Sequence, residues 1–155
     1  MIKAIGIGNR IMMDDGIAIV ILENLKNNLE LMGIDVIIGE TDFSFIFNQL
    51  KDDDFVIIVD AAYSGAVAGS IHSYNLQEAA STYGETNSQH EINFLDLMRL
   101  HSKPLKGYFI GIEIAEIGFG CDLSETLKGK LNSICLEVER IISEKLDSTP
   151  TLLSE

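Results

Sequence analysis

Ile5-Gly6-Ile7-Gly8-Asn9-Arg10-Ile11-Met12-Met13-Asp14-Asp15-Gly16 is the stretch that decides how this chain is read. It follows a short apolar segment and precedes an amphipathic helix, so it reads as strand, glycine turn, loop and helix start. In open α/β sheets the loop after such a strand lies at the carboxyl edge, where ligands bind. Two adjacent carboxylates, Asp14 and Asp15, stand there.

Working outward, Ile2 to Ile7 is a near-continuously apolar strand. From Gly16 to Met32, apolar residues fall at Ile17, Val20, Ile21, Leu25, Leu29 and Met32, the three-and-four spacing of a helix. Asp14 or Asp15 is expected to cap its start and Gly33 to end it. Ile34 to Ile38 is a second, β-branched strand closed by Gly39. Phe43 to Leu50 suggests a short helix, Asp52-Asp53-Asp54 a charged turn, and Phe55 to Val59 a third strand ending at Asp60. Apolar strands in βαβαβ order mark a parallel sheet covered on both faces.

Beyond a small-residue loop from Ala61 to Gly69, Ser70 to Leu76 is expected to be an edge or antiparallel strand, since no helix-length crossover precedes it. Gln77 to Gln89 reads as a mobile polar loop, Glu91 to His101 as a helix, and Gly107 to Ile114 as the last strand. Ser124 is placed to cap a long helix with Leu127, Leu131, Ile134, Val138, Ile141, Ile142 and Leu146 inward. The expectation is a single α/β domain over residues 1–146, a mostly parallel sheet with helices on both faces, and a frayed tail from 147 to 155.

Charge narrows the function. The 155 residues carry 24 acids against 11 Lys and Arg, a formal net charge of −13. Nothing clusters basic residues into a face that could neutralise nucleic-acid phosphates or an acidic lipid surface, so neither partner is expected. No run approaches the roughly 18 apolar residues of a membrane span. A secretory signal is not expected either, because the amino terminus enters a strand at once. Cys121 and Cys135 form neither a zinc pattern nor a CxxC pair; both read as small apolar residues in a reducing, cytoplasmic setting.

Three residues carry candidate chemistry. Asp14-Asp15 follows the first strand and Asp60 the third. In a parallel sheet these ends share one edge, and neighbouring strands lie about 4.8 Å apart, so side chains from both loops can converge. His90, at a helix start after a long loop, could reach the same edge. Two carboxylate oxygens and an imidazole suit a borderline divalent metal such as nickel, zinc, iron or manganese. Each residue also has a plainer reading: Asp14 or Asp15 as a helix cap, Asp60 as an acceptor for following backbone amides, His90 as a surface histidine. His72 and His101 read as structural. A dinucleotide site is disfavoured, because Ile11 stands where the third glycine belongs and Asp14-Asp15 would repel a pyrophosphate.

Taken together these residues resemble the hydrogenase maturation endopeptidases. Gly6-Ile7-Gly8-Asn9 followed by Asp14-Asp15-Gly16 is similar to that family's opening motif. Val59-Asp60-Ala61 with Gly65 and Gly69 is similar to its second, and Ser88-Gln89-His90 leading to Leu95 to its third. Ile110-Gly111-Ile112-Glu113 and Leu123-Ser124 are similar to its closing region. The resemblance implies a twisted, mostly parallel five-stranded sheet between helices. It implies an endopeptidase that clips a carboxyl-terminal extension from a [NiFe] hydrogenase large-subunit precursor after nickel insertion. Asp15, Asp60 and His90 would contact the nickel carried by that precursor, with Gly8, Asn9, Asp14 and Gly16 shaping the supporting loop. No organic cofactor is implied. The alternatives are another metal-assisted hydrolase using the same cleft, or a doubly wound ligand-binding module whose acids are caps.

Overall fold

Strands and helices alternate along the computed structural model, which describes residues 1–76, 78 and 105–149. The order is β1 (Ile2–Ile7), a single 3-10 turn (Met13–Gly16), α1 (Ile17–Leu31), β2 (Ile34–Glu40), α2 (Phe43–Gln49) and β3 (Phe55–Ala62). Then come β4 (Ile71–Asn75), β5 (Lys106–Glu113) and α3 (Glu125–Asp147). The strands form one five-stranded sheet in the order β2-β1-β3-β5-β4. β1 pairs in parallel with β2 and β3, and β3 with β5; β4 runs antiparallel along β5. The expected architecture, including an antiparallel edge strand, is therefore present.

The pleat divides the core. Ala4, Ile57, Val59, Ile110 and Ile112 face α1 and α3, where Ile17, Ile21, Leu25, Leu127, Val138 and Ile142 close over them. Ile5, Ile7, Ile37, Val56, Ile58 and Phe109 face the other way, against Ile46 of α2 and Leu76. Each fully buried large aliphatic side chain contributes about 1.5–3 kcal/mol before entropy is counted. Helices thus cover both faces, as near-continuous apolar strands require. Among the described residues no helix is long and apolar enough to cross a membrane.

Element ends follow local chemistry, with three departures from expectation. Gly33 terminates α1 at φ 82°, a conformation that disfavours a β-carbon, and Ser124 caps α3 by accepting from the Leu127 amide. The first departure is β3, which runs past Asp60 to Ala62 because β5 continues beside it, pairing Asp60 with Gly111 and Ala62 with Glu113. The second is Asp54, which is buried rather than part of a solvated acidic turn. Lys3 projects from β1 toward α2, and its Nζ lies 2.7 Å from Asp54 Oδ2 while also donating to the Gln49 carbonyl. The third is Cys121, which is exposed, whereas Cys135 is buried in α3 as expected. The readings made for residues 79–104, among them His90 and His101, and for the tail 150–155 lie outside the described residues.

Candidate active site

The site is built where β1 turns back on itself. Gly8 has φ 150°, and a β-carbon there would stand 2.2 Å from the Asp15 carbonyl oxygen. Only glycine lets the strand end and the turn approach so closely. Asn9 Oδ1 then accepts from the Ile11 amide, and the Met12 amide donates to the Asn9 carbonyl. Met13 is held at φ 52°, its side chain lying over the backbone of Gly118 and Gly120. The Met13 amide donates to the Gly120 carbonyl, and the Gly120 amide to the Ile11 carbonyl, so this loop is clasped to the one after β5.

The clasp changes what Asp14 does. The 3-10 turn places both acids ahead of the helix, and the N-cap of α1 is Gly16, with no side-chain acceptor. Neither acid caps α1. Asp14 is fully buried and instead grips the far loop. Its Oδ2 accepts from the amides of Ala115 (3.0 Å) and Glu116 (2.8 Å) and from the Ser124 hydroxyl (2.8 Å), and its Oδ1 accepts from the Ser124 amide at 2.7 Å. Charge-assisted bonds of this kind are about twice as strong as neutral ones. The negative charge also sits beside the amino end of α3, where the helix dipole favours it.

Asp15 turns the other way. It is buried; Oδ2 accepts from the Asn9 amide at 2.9 Å and Oδ1 from the Tyr63 hydroxyl at 2.6 Å. Asp60 is also buried, on the neighbouring strand, its Oδ1 accepting from the Ala61 amide at 2.7 Å. The plainer reading of Asp60 as a backbone acceptor is thus met in one bond. Tyr63 links the two acids electrostatically. Burial, then the Asp15 hydrogen bond, then the charges of Asp15, Asp60 and Asp14 hold its phenol well above the ordinary tyrosine range, so it remains a proton donor.

Glu113 is a fourth buried acid at this edge. Its carboxylate accepts from Ser64 Oγ at 2.8 Å and from the Gly65 amide at 2.9 Å, and His72 Nε2 lies 3.5 Å away. The rule that singles out Asp60, an acid ending an apolar parallel strand, applies equally to Glu113, so its position was readable. Tyr63 gave no such signal, being a lone aromatic in a small-residue loop 48 positions from Asp15. At the rim, the exposed Arg10 donates to the side chains of Glu23 and Glu40.

The structure therefore brings Asp15 and Asp60 to adjacent places on one edge, with Gly8, Asn9 and Gly16 shaping the turn and Asp14 locking it. His90 is outside the described residues. Among the described residues no three His, Cys, Asp or Glu side chains are grouped to hold a metal ion.

Comparison with known proteins fits this geometry. The fold is similar to E. coli hydrogenase maturating endopeptidase HybD, with a TM-score of 0.75, 19% identity and 93% of each chain covered. It is similar to [NiFe] hydrogenase maturation protease HybD from Thermococcus kodakarensis, with a TM-score of 0.70, 23% identity, and 90% of this chain and 97% of that one covered. The HycI protease of Thermococcus kodakarensis KOD1 superposes with a TM-score of 0.67 at 20% identity, covering 92% of each chain. No curated protein matches the chain in sequence. Residues 19–142 match the sequence model of the hydrogenase maturation proteases, a span that includes Asp60 and His90 and begins beyond Asp15. With four-fifths of its length inside that match, the chain belongs to the hydrogenase maturation protease family and is a peptidase.

Proposed function

We propose that the chain is the cytoplasmic endopeptidase that removes a carboxyl-terminal extension from a nickel-loaded [NiFe] hydrogenase large-subunit precursor, docking on the precursor's nickel through Asp15, Asp60 and His90. The observation that carries this reading is the pair of buried carboxylates at one sheet edge, Asp15 in the turn after β1 and Asp60 on the neighbouring parallel strand β3. Nickel enters as part of the substrate, not as a resident cofactor. Carboxylate and imidazole donors suit it, and burial of the two carboxylates, by lowering the local dielectric, strengthens their attraction for a divalent cation. Docking on the metal fixes the extension relative to the cleft, so that the scissile peptide is oriented before any bond breaks. Polarisation of its carbonyl, or activation of a water beside it, would follow from the same charge.

The test is Asp60→Asn, which keeps the side chain's shape. Incubated with nickel-loaded precursor, this variant should leave the extension in place by mass spectrometry while its circular dichroism matches the parent. Processing at the parental rate would remove Asp60 from the mechanism.

A further inference from the structure

The Asp15 carboxylate is held from two sides, the Asn9 amide on Oδ2 and the Tyr63 hydroxyl on Oδ1. Donors on both oxygens remove the rotation an aspartate side chain otherwise has. The loop presenting Tyr63 is itself braced. Glu113 takes Ser64 Oγ and the Gly65 amide, the Gly69 amide donates to the Glu113 carbonyl at 2.8 Å, and Lys130 Nζ donates to the Ala68 carbonyl at 2.8 Å. The segment is thus tied to β5 and to α3 at once.

We propose that Tyr63 is a positioning residue of the cleft: its hydroxyl aims the Asp15 carboxylate at the arriving cation, and Glu113 braces the loop that carries it. A carboxylate oxygen has two lone pairs, so accepting the phenol's hydrogen does not preclude a bond to metal. Partners that orient a metal-contacting side chain typically change metal affinity by about 10–100-fold when removed. The inference rests on Asp15 being a nickel-contacting acid, the reading given above.

The experiment titrates nickel(II) alone into the parent, Asp15→Asn, Tyr63→Phe and the double variant by calorimetry, with circular dichroism to confirm folding. Tyr63→Phe removes one oxygen and keeps the ring. It should bind nickel(II) about 10–100-fold more weakly. The double variant should bind no more weakly than Asp15→Asn, because the hydroxyl acts only through that carboxylate. The chain has 4 tyrosines and no tryptophan, so nickel(II) should perturb the tyrosine absorption band of the parent, and Tyr63→Phe should remove that change. Parental affinity in Tyr63→Phe alongside loss in Asp15→Asn would overturn the positioning role and leave the nickel reading standing. Additive losses in the double variant would show a general structural effect and overturn it too. Parental affinity in Asp15→Asn, or no nickel(II) binding by the parent, would overturn both.

Discussion

Asp14 and Asp15 are neighbours in the chain with separate tasks. Asp14 faces the loop after β5 and meets four donors; Asp15 turns toward β3 and the loop after it, accepting from the Asn9 amide and the Tyr63 phenol. Replacing Asp14 by Asn puts an NH₂ group where donors converge, so at least one buried amide or hydroxyl loses its acceptor. The expected cost is about 2–4 kcal/mol, read as a lower urea midpoint with an unchanged slope. The importance of an acid pair at this place was legible, because two acids cannot share one cap. The division of labour was not, since it depends on a loop about a hundred residues away. Glu113 was legible by the same strand-end rule, as the last residue of an apolar parallel strand. Tyr63 was not legible, because a single tyrosine acquires meaning only once its partner's position is known.

At the scale of elements, the strands were readable because burial on both faces leaves near-continuous apolar runs. Their ends were less so. β3 extends to Ala62 only because β5 pairs with it there, a long-range cause that no local pattern reports. The helix starts show the same contrast. Ser124 caps α3 through a bond three residues away, which spacing predicts. α1 instead begins after a 3-10 turn imposed by the clasp between Ile11–Met13 and Gly120. That turn depends on Gly8. Gly8→Ala would drive a methyl group into the Asp15 carbonyl oxygen, separating β1 from the turn. The expected result is a loss of about 2 kcal/mol or more together with loss of precursor processing. Helix content by circular dichroism should stay near that of the parent.

Across the whole molecule, the candidate site and a buried ion pair occupy opposite edges of the sheet. Asp14, Asp15, Asp60 and Glu113 gather where the parallel strands end. Lys3 and Asp54 pair near where β1 and β3 begin, and the amino-terminal ammonium stands 3.4 Å from the Asp54 carboxylate. A lysine in an inward-facing strand position needs a buried partner, and Asp54, just ahead of β3, meets it. Lys3→Met leaves the buried Asp54 carboxylate only the Lys51 amide and the more distant terminal ammonium, so the protein should lose up to about 3–5 kcal/mol while processing by the folded fraction is unchanged. The pair also sets an acid limit. Burial pushes the Asp54 carboxyl upward, but the Lys3 hydrogen bond, the Lys51 amide and the Lys3 charge outweigh it and hold the group below the ordinary aspartate range. Folding therefore favours the ionised form. Its contribution is complete above an unfolded-state value of about 4 and is lost as pH falls through the lower folded value. Denaturation curves collected between neutral and acidic pH should show that loss in the parent and a flatter dependence in Asp54→Asn.

The two thiols differ in a way that gives the molecule a ready handle. Cys121 is exposed and directly follows Gly120, whose amide donates to the Ile11 carbonyl ahead of the Asp14-Asp15 turn, whereas the Cys135 thiol is buried and pushed upward by burial and by Glu139. A maleimide dye should therefore attach at Cys121 alone, setting a fluorophore next to the loop that clasps the Asp14-Asp15 turn. Its anisotropy would then follow the arrival and departure of a precursor in real time, without any engineered attachment point.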